Sequence, residues 1–208
     1  MRVIGTVGLP GSGKGEAAAV AREAGIPVVT MGDVIREACR ERGLDPAQHH
    51  GAVATALREE EGPDAVARRC LPRIRAALDD GDGDAGAAGT VLVDGLRSAV
   101  EAERFREAFG DAFRLVAIEA PFDLRAERLA DRGRDATDAD REALRERDER
   151  ELDFGMGELI EAADVRIENH GSIDAFRARV RDLLGADPEG SRGTGGSGGD
   201  PHPGGAGA

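Results

Sequence analysis

Short apolar runs alternate along this chain with segments that carry apolar residues at helical spacing. Residues 3–7 (Val-Ile-Gly-Thr-Val) form one such run, and residues 16–23 follow as an alanine-rich segment. The run predicts a buried strand and the segment a helix. Residues 25–29 predict a turn and a short buried strand. A helix opens within residues 30–36 and extends to about Arg42, where Gly43 supplies a C-terminal stop. His49, His50 and Gly51 make a polar break, and residues 52–61 are expected to be helical. Pro63 occupies a first-turn position. Residues 65–78 are amphipathic, with Val66, Leu71, Ile74 and Leu78 on one face. Pro72 within them predicts a kink or a break.

Residues 79–89 are acidic, rich in Gly and Ala and without periodicity, which predicts an exposed, mobile loop. Residues 90–94 (Thr-Val-Leu-Val-Asp) read as a buried parallel strand ending in an acid. Ser98 and Glu101 have the spacing of a capping box that starts a helix to about Phe109. Residues 113–119 predict another strand and residues 122–131 a helix. Residues 137–140 suggest a cap, followed by a charged helix to about Leu152. Residues 164–168 predict a last strand, and Ser172 caps a final helix to Leu184. Residues 185–208 are rich in Gly, Pro and Ser, lack apolar content and are expected to be disordered. Strands alternating with helices imply an α/β fold of three layers around a parallel sheet of about five strands. Ligands of such sheets bind beyond the carboxyl ends of the strands. Here those ends carry Gly8, Thr30, Asp94, Glu119 and Asn169.

The stretch Gly8-Leu9-Pro10-Gly11-Ser12-Gly13-Lys14-Gly15 lies between the first strand and the first helix. Strand, glycine loop with lysine, and helix make a P-loop. Its glycines let backbone N–H groups turn toward a polyphosphate, and the helix N-terminus adds positive potential. Lys14 supplies a point charge to the β- and γ-phosphates. It is the only lysine among 28 basic residues. Its retention suggests a need for a slim ammonium where a guanidinium would be too wide. The motif normally ends in Ser or Thr, but here Gly15 stands there and Glu16 follows. Asp94 can hold Mg²⁺ opposite the loop, directly or through water.

Composition narrows the partners. The net charge of −13 argues against general nucleic-acid binding. Acid excess with almost no lysine fits either a salt-adapted surface or a GC-rich genome. No apolar run approaches the roughly 18 residues of a membrane helix. The first strand begins at once, without room for a secretion signal, and the expected location is cytoplasmic. Cys39 and Cys70 lack metal spacing and read as reduced, packed thiols. With no Trp or Tyr and six Phe, arginine planes and aliphatic side chains are expected to hold a base. Asp153-Phe154-Gly155 spells the metal motif of protein kinases without its partner motifs and is read as chance. His49, His50 and His170 read as surface or cap residues.

Residues 8–15 resemble the P-loop of adenylate kinase and related nucleoside monophosphate kinases, which also carry Gly after the lysine. Thr30-Met31-Gly32-Asp33-Val34-Ile35-Arg36 resembles their monophosphate-binding segment, and Asp94-Gly95-Leu96-Arg97 their Asp-Gly-Phe-Pro-Arg without the Pro. Arg128 and Arg132 match their first lid arginines. Residues 163–172 look more like the end of dephospho-CoA kinase. The pattern as a whole, including residues 147–152, is most like an archaeal P-loop family related to both kinases. It covers residues 1 to about 184, with an acceptor side at about 31–80 and a lid at about 123–155.

The resemblance implies a kinase that uses ATP and Mg²⁺ to phosphorylate a small nucleotide-like acceptor. Gly8, Leu9, Pro10, Gly11, Ser12, Gly13, Lys14, Gly15 and Glu16 would form the ATP site. Thr30, Gly32, Asp33, Arg36 and Arg97 would form the acceptor site. Arg128 would lie against adenine, while Arg132 with Arg147 or Arg150 would close over the transferring phosphoryl group. Asp94 and Glu16 are the candidate Mg²⁺ ligands, although Glu16 can also point away. Asp33 either accepts a proton from a hydroxyl acceptor, as dephospho-CoA kinase would need, or complements a helix dipole. A nucleotide-dependent switch or slow ATPase is the rival from another class.

Overall fold

The computed structural model describes residues 1–79, 89–131 and 141–185. Five strands, β1 (Arg2–Val7), β2 (Val28–Thr30), β3 (Thr90–Asp94), β4 (Phe113–Glu119) and β5 (Val165–Glu168), form one parallel sheet in the order β2-β3-β1-β4-β5. Nine helices are described: α1 (Lys14–Glu23), α2 (Met31–Glu41), α3 (Pro46–Glu61), α4 (Ala65–Asp79), α5 (Ala99–Phe109), α6 (Phe122–Asp131), α7 (Arg141–Glu151), α8 (Gly157–Glu161) and α9 (Ile173–Leu184).

Alternation along the strands creates two cores. Val3, Val7, Val91, Val93, Leu115 and Ala117 pack on one face with residues of α2, α3, α4, α5 and α8. Ile4, Leu92, Val116, Ile118 and Ile167 pack on the other with α1 and α9. Sheet and two helical layers are the three-layer α/β arrangement expected. A third, small cluster joins Ala126 and Leu129 of α6 to Leu144 of α7, with Phe122 against it. The α6–α7 pair thus carries its own apolar seam.

Several elements depart from the sequence pattern. α3 starts at Pro46, not after Gly51, and runs straight through His49 and His50. Asp45 caps it by accepting from the Ala47 N–H at 3.0 Å. The apparent polar break is simply the first turns of a helix whose outer face meets water. Pro72 lies inside α4 without ending it. Its side is exposed, while Cys70, Leu71 and Ile74 beside it are buried and hold the helix to the sheet. Between α7 and β5 the chain makes a π turn (Leu152–Met156) and α8, neither of which the pattern showed. Ser98 caps α5 as expected, accepting from Glu101 N–H at 3.3 Å. The Glu101 carboxylate accepts from Arg97 N–H instead of from the cap residue, and it is fully buried against Arg58. Both cysteines are buried and unpaired with each other, and burial pushes the Cys70 thiol up to about 12. The expected loop at 79–89 and the cap at 137–140 lie largely or wholly outside the described residues, as does the tail beyond Gly185.

Candidate active site

The P-loop crosses from β1 to α1 beyond the carboxyl edge of the sheet, and its glycines are set by neighbouring chain. A Cβ on Gly8 would lie 2.3 Å from the Ile118 carbonyl oxygen of β4, and one on Gly13 would lie 2.4 Å from Asn169 Nδ2. Gly15 differs, because a Cβ there meets nothing within 4 Å. Its glycine answers to no packing inside the protein, and the space beside it is open. Ser12 is buried, and its Oγ has no hydrogen-bond partner among the described residues. A buried hydroxyl without a partner is costly unless a ligand supplies one.

Lys14 opens α1. Its ammonium donates to the carbonyl of Gly8 and, at 3.2 Å, to that of Leu9. Burial lowers its pKa to about 8, with Asp94 and Glu151 pulling in the opposite direction. Asp94 sits at the end of β3 and is paired in register with Thr6 of β1, whose hydroxyl donates to its Oδ1 at 3.1 Å. The carboxylate is therefore held beside the loop and across from the lysine.

In front of this floor lies a chamber made of two adjoining cavities of about 280 and 400 Å³. The inner one is lined by Lys14, Asp94, Thr30, Gly32 and Arg36, among others. The outer one reaches Thr55, Arg150 and Phe154. Ile35, His50, Arg58, Arg97, Arg147 and Glu151 line both. Glu151 faces Arg97 at 3.2 Å. Burial, with the nearby arginines, holds the His50 pKa below the usual value, against a backbone contact to Gly32 that pulls the other way.

The residues singled out in the sequence fall into three groups. Lys14, Asp94, Thr30, Gly32, Arg36, Arg97, Arg147 and Arg150 meet at the chamber. Asp33, Glu16 and Arg128 do not line it. The Asp33 carboxylate faces outward and pairs with Arg36 at 2.6 Å. Glu16 turns to α9, where it accepts from Arg177 at 3.0 Å. Arg128 donates to the backbone and side-chain oxygens of Asn169 at 3.1 and 3.2 Å, and Asn169 in turn donates to the Ser12 carbonyl at 2.8 Å. Arg132 lies outside the described residues. Among the described residues, no cluster of three His, Cys, Asp or Glu side chains is placed to hold a metal ion.

Several participants were not legible in the sequence, Arg58 of the chamber wall among them. His50 and Phe154 line the chamber although their strings look like surface and chance. Arg125 of α6 and Asp148 of α7 form a buried bidentate pair at 2.9 and 2.6 Å, and Arg125 also donates to the Pro10 carbonyl of the P-loop at 3.0 Å. The one available signal was the apolar spacing of Arg125 with Ala126 and Leu129 on α6, which puts an arginine beside the buried face.

The chain as a whole is similar to known proteins. The AAA domain family matches residues 7–145. A UPF0200 protein of Halobacterium salinarum is 60% identical over 187 residues, spanning 90% of this chain and 94% of its own length. Another, from Methanosarcina mazei, is 48% identical over 185 residues, or 88% of this chain and 94% of its own. The chain belongs to the UPF0200 family. This is the archaeal P-loop family that the motifs resemble. Among solved structures, TT1252 of Thermus thermophilus superposes with a TM-score of 0.59 at 18% identity, covering 88% of this chain and 96% of that one. Shikimate kinase of Bacteroides thetaiotaomicron superposes with 0.54 at 15% identity, covering 88% and 98%. The shared feature is the P-loop kinase fold. No helix among the described residues is long and apolar enough to cross a membrane.

Proposed function

We propose that this UPF0200 protein is an ATP-dependent phosphotransferase that moves the γ-phosphoryl group of ATP to a nucleotide-like acceptor of the nucleoside monophosphate type. One observation carries the proposal: the P-loop lysine and Asp94 open directly onto a chamber walled by Arg36, Arg58, Arg97 and Arg147. Phosphoryl transfer is largely a matter of positioning two anionic partners and neutralising their charge. A cationic wall opposite a P-loop supplies the second partner's place, which an ATPase does not need.

The residues present fit ATP and Mg²⁺. The partnerless Ser12 hydroxyl, the loop N–H groups and the open side of Gly15 offer donors and room for phosphates. Lys14 would leave its two loop carbonyls for the phosphate oxygens. Mg²⁺, when bound, shields the charge between phosphate groups, and Asp94 would hold it while Thr6 keeps that carboxylate oriented. Glu16 is a weaker candidate ligand, since Arg177 already engages it. Arg97 and Arg36 would exchange their own carboxylates for the acceptor phosphate, where the planar guanidinium can bind two oxygens. Arg128 and Asn169 would flank the adenosine side of the loop. Closure of the α6–α7 hairpin would exclude water from the transfer.

The placement of Asp33 favours a phosphate acceptor over a hydroxyl acceptor such as dephospho-CoA. A base for a hydroxyl must reach its proton within hydrogen-bond distance, and this carboxylate faces outward against Arg36. The test is incubation with γ-labelled ATP, Mg²⁺ and a panel of AMP, CMP, UMP and dephospho-CoA at low and high salt. A labelled nucleoside diphosphate is expected. Labelled coenzyme A would move the assignment to the hydroxyl acceptor. Free phosphate as the sole product would mark an ATPase or switch, and it would reject the kinase reading.

A further inference from the structure

Aromatic side chains are scarce here: six Phe, no Tyr and no Trp. Phe105, Phe109, Phe113 and Phe176 are buried in the cores. Phe122 is half-buried beneath the guanidinium groups of Arg125, Arg141 and Arg145. Phe154 stands apart with 52% of its surface exposed. The turn Leu152–Met156 carries it, with Gly155 at φ 103°.

Its exposure is directed into the outer cavity of the chamber, where it is a lining residue. The guanidinium of Arg58 lies over the ring, 5.4 Å from the centroid. Arg58 is itself oriented by the buried Glu101 carboxylate at 2.8 Å. Leaving an aromatic ring wet forgoes its burial energy. Here the ring and an oriented guanidinium plane, both surfaces on which flat groups stack, stand together in a cavity. Its volume of about 400 Å³ is within the range of pockets that take small organic ligands.

The two ends of the chamber differ in chemistry. Lys14 and Asp94 mark the inner end; Phe154, Ala54 and Thr55, with Arg150 beside them, mark the outer. His50 stands on the wall that the two cavities share. A molecule spanning the chamber carries an anionic group at one end and a flat, apolar-faced ring at the other.

We infer that Phe154 and Arg58 form a ring-binding slot in the acceptor site, so that the acceptor is a phosphate compound bearing a heteroaromatic ring, not a sugar phosphate or a ringless acid. The inference rests on the chamber being the acceptor site. It is tested by binding, without turnover. The full chain, with its donor site filled by Mg²⁺ and a non-hydrolysable ATP analogue, is titrated calorimetrically with AMP, GMP, CMP, UMP and ribose 5-phosphate. At least one nucleotide is expected to bind about 30-fold more tightly than ribose 5-phosphate, as base stacking on one aromatic ring allows. Phe154→Ala should weaken that nucleotide about tenfold and leave ribose 5-phosphate within about twofold. Phe154→Leu, which keeps apolar bulk but no ring face, should lose most of the same advantage, and Phe154→Tyr should retain it. Equal binding of ringed and ringless ligands by the wild type overturns the slot. So does equal weakening of both by Phe154→Ala, or no nucleotide binding at all. Ring-dependent binding without phosphoryl transfer would uphold the slot and reject the kinase activity, so the two readings fail separately.

Discussion

At the P-loop the backbone carbonyls are held by side-chain donors, whereas across the chamber the cations are held by carboxylates. Ile118 and Asn169 press on Gly8 and Gly13, and Arg125 and Asn169 donate to the carbonyls of Pro10 and Ser12. Little there needs to move for a polyphosphate except the Lys14 ammonium. The opposite wall is built largely of exchangeable pairs, Arg36 with Asp33 and Arg97 with Glu151, while Arg58 is fixed by the buried Glu101. An incoming anion competes with an internal one at each exposed pair. A preorganised donor cradle facing a wall of replaceable ion pairs suits an enzyme that binds one constant nucleotide and responds to a second ligand.

The contrast can be broken from the donor side first. Lys14→Ala should reduce transfer by about 10³-fold or more, since it removes the P-loop's own cation at the β- and γ-phosphates; a labelled-phosphate assay reads this directly. Asp148→Ala should cost about 3–5 kcal/mol in denaturant unfolding, because Arg125 would remain buried without its carboxylate. It should also loosen the P-loop, seen as weaker ADP binding, because Arg125 joins Asp148 of α7 to the Pro10 carbonyl.

The glycines sharpen the comparison. Gly8→Ala should lose about 2–4 kcal/mol of stability, as the added carbon meets the Ile118 carbonyl at 2.3 Å. Gly15→Ala should gain up to about 1 kcal/mol without ligand, because its space is empty and Ala favours helix. The same Gly15→Ala variant should bind ATP less tightly. A tighter complex would show that phosphate does not use that space.

Lys14 also makes nucleotide binding depend on pH. Its pKa falls from 10.5 to about 8 on folding. Between those values the unfolded chain holds a proton that the folded, ligand-free protein has released. The burial penalty on folding is thus complete below about pH 8 and fades as pH rises toward 10.5. A bound triphosphate favours the charged ammonium. Affinity for ATP should therefore be flat below pH 8 and fall by up to about tenfold per unit above it; calorimetry at pH 7, 8 and 9 tests the slope. The smallest effect is expected at Asp33. Its pair with Arg36 is exposed and should contribute under about 1 kcal/mol. Asp33→Asn should leave turnover within a few-fold, whereas loss of a general base would cost about 10²–10⁴-fold.

What could be read in the sequence was mostly what is local. The β1–loop–α1 unit, the strand ends and the capping serine of α5 all follow from residues within a few positions of one another. The α3 start was missed because Asp45 and Pro46 signal a helix whose first turns carry no apolar stripe. The turn after α7 was missed because a π segment has neither of the usual periods. Phe154 looked like a stray letter in a kinase motif because its meaning depends on Arg58, which lies far away in sequence.

The sequence by itself determined the phosphate-binding loop, the α/β alternation and the lone lysine, because backbone sterics, strand period and helix caps act over short stretches. Only the tertiary structure decided which charges line the chamber. Glu16 is next to the loop in sequence, yet it is taken up by Arg177, 161 residues on, while Asp33 is turned outward to Arg36. Asp148, His50 and Phe154 carry no local signal, and Arg125 only its place beside the apolar face of α6; packing brings them to the loop and the chamber. Coulombic and stacking partners are chosen by proximity in space, and a chain's spacing does not contain that distance until it folds.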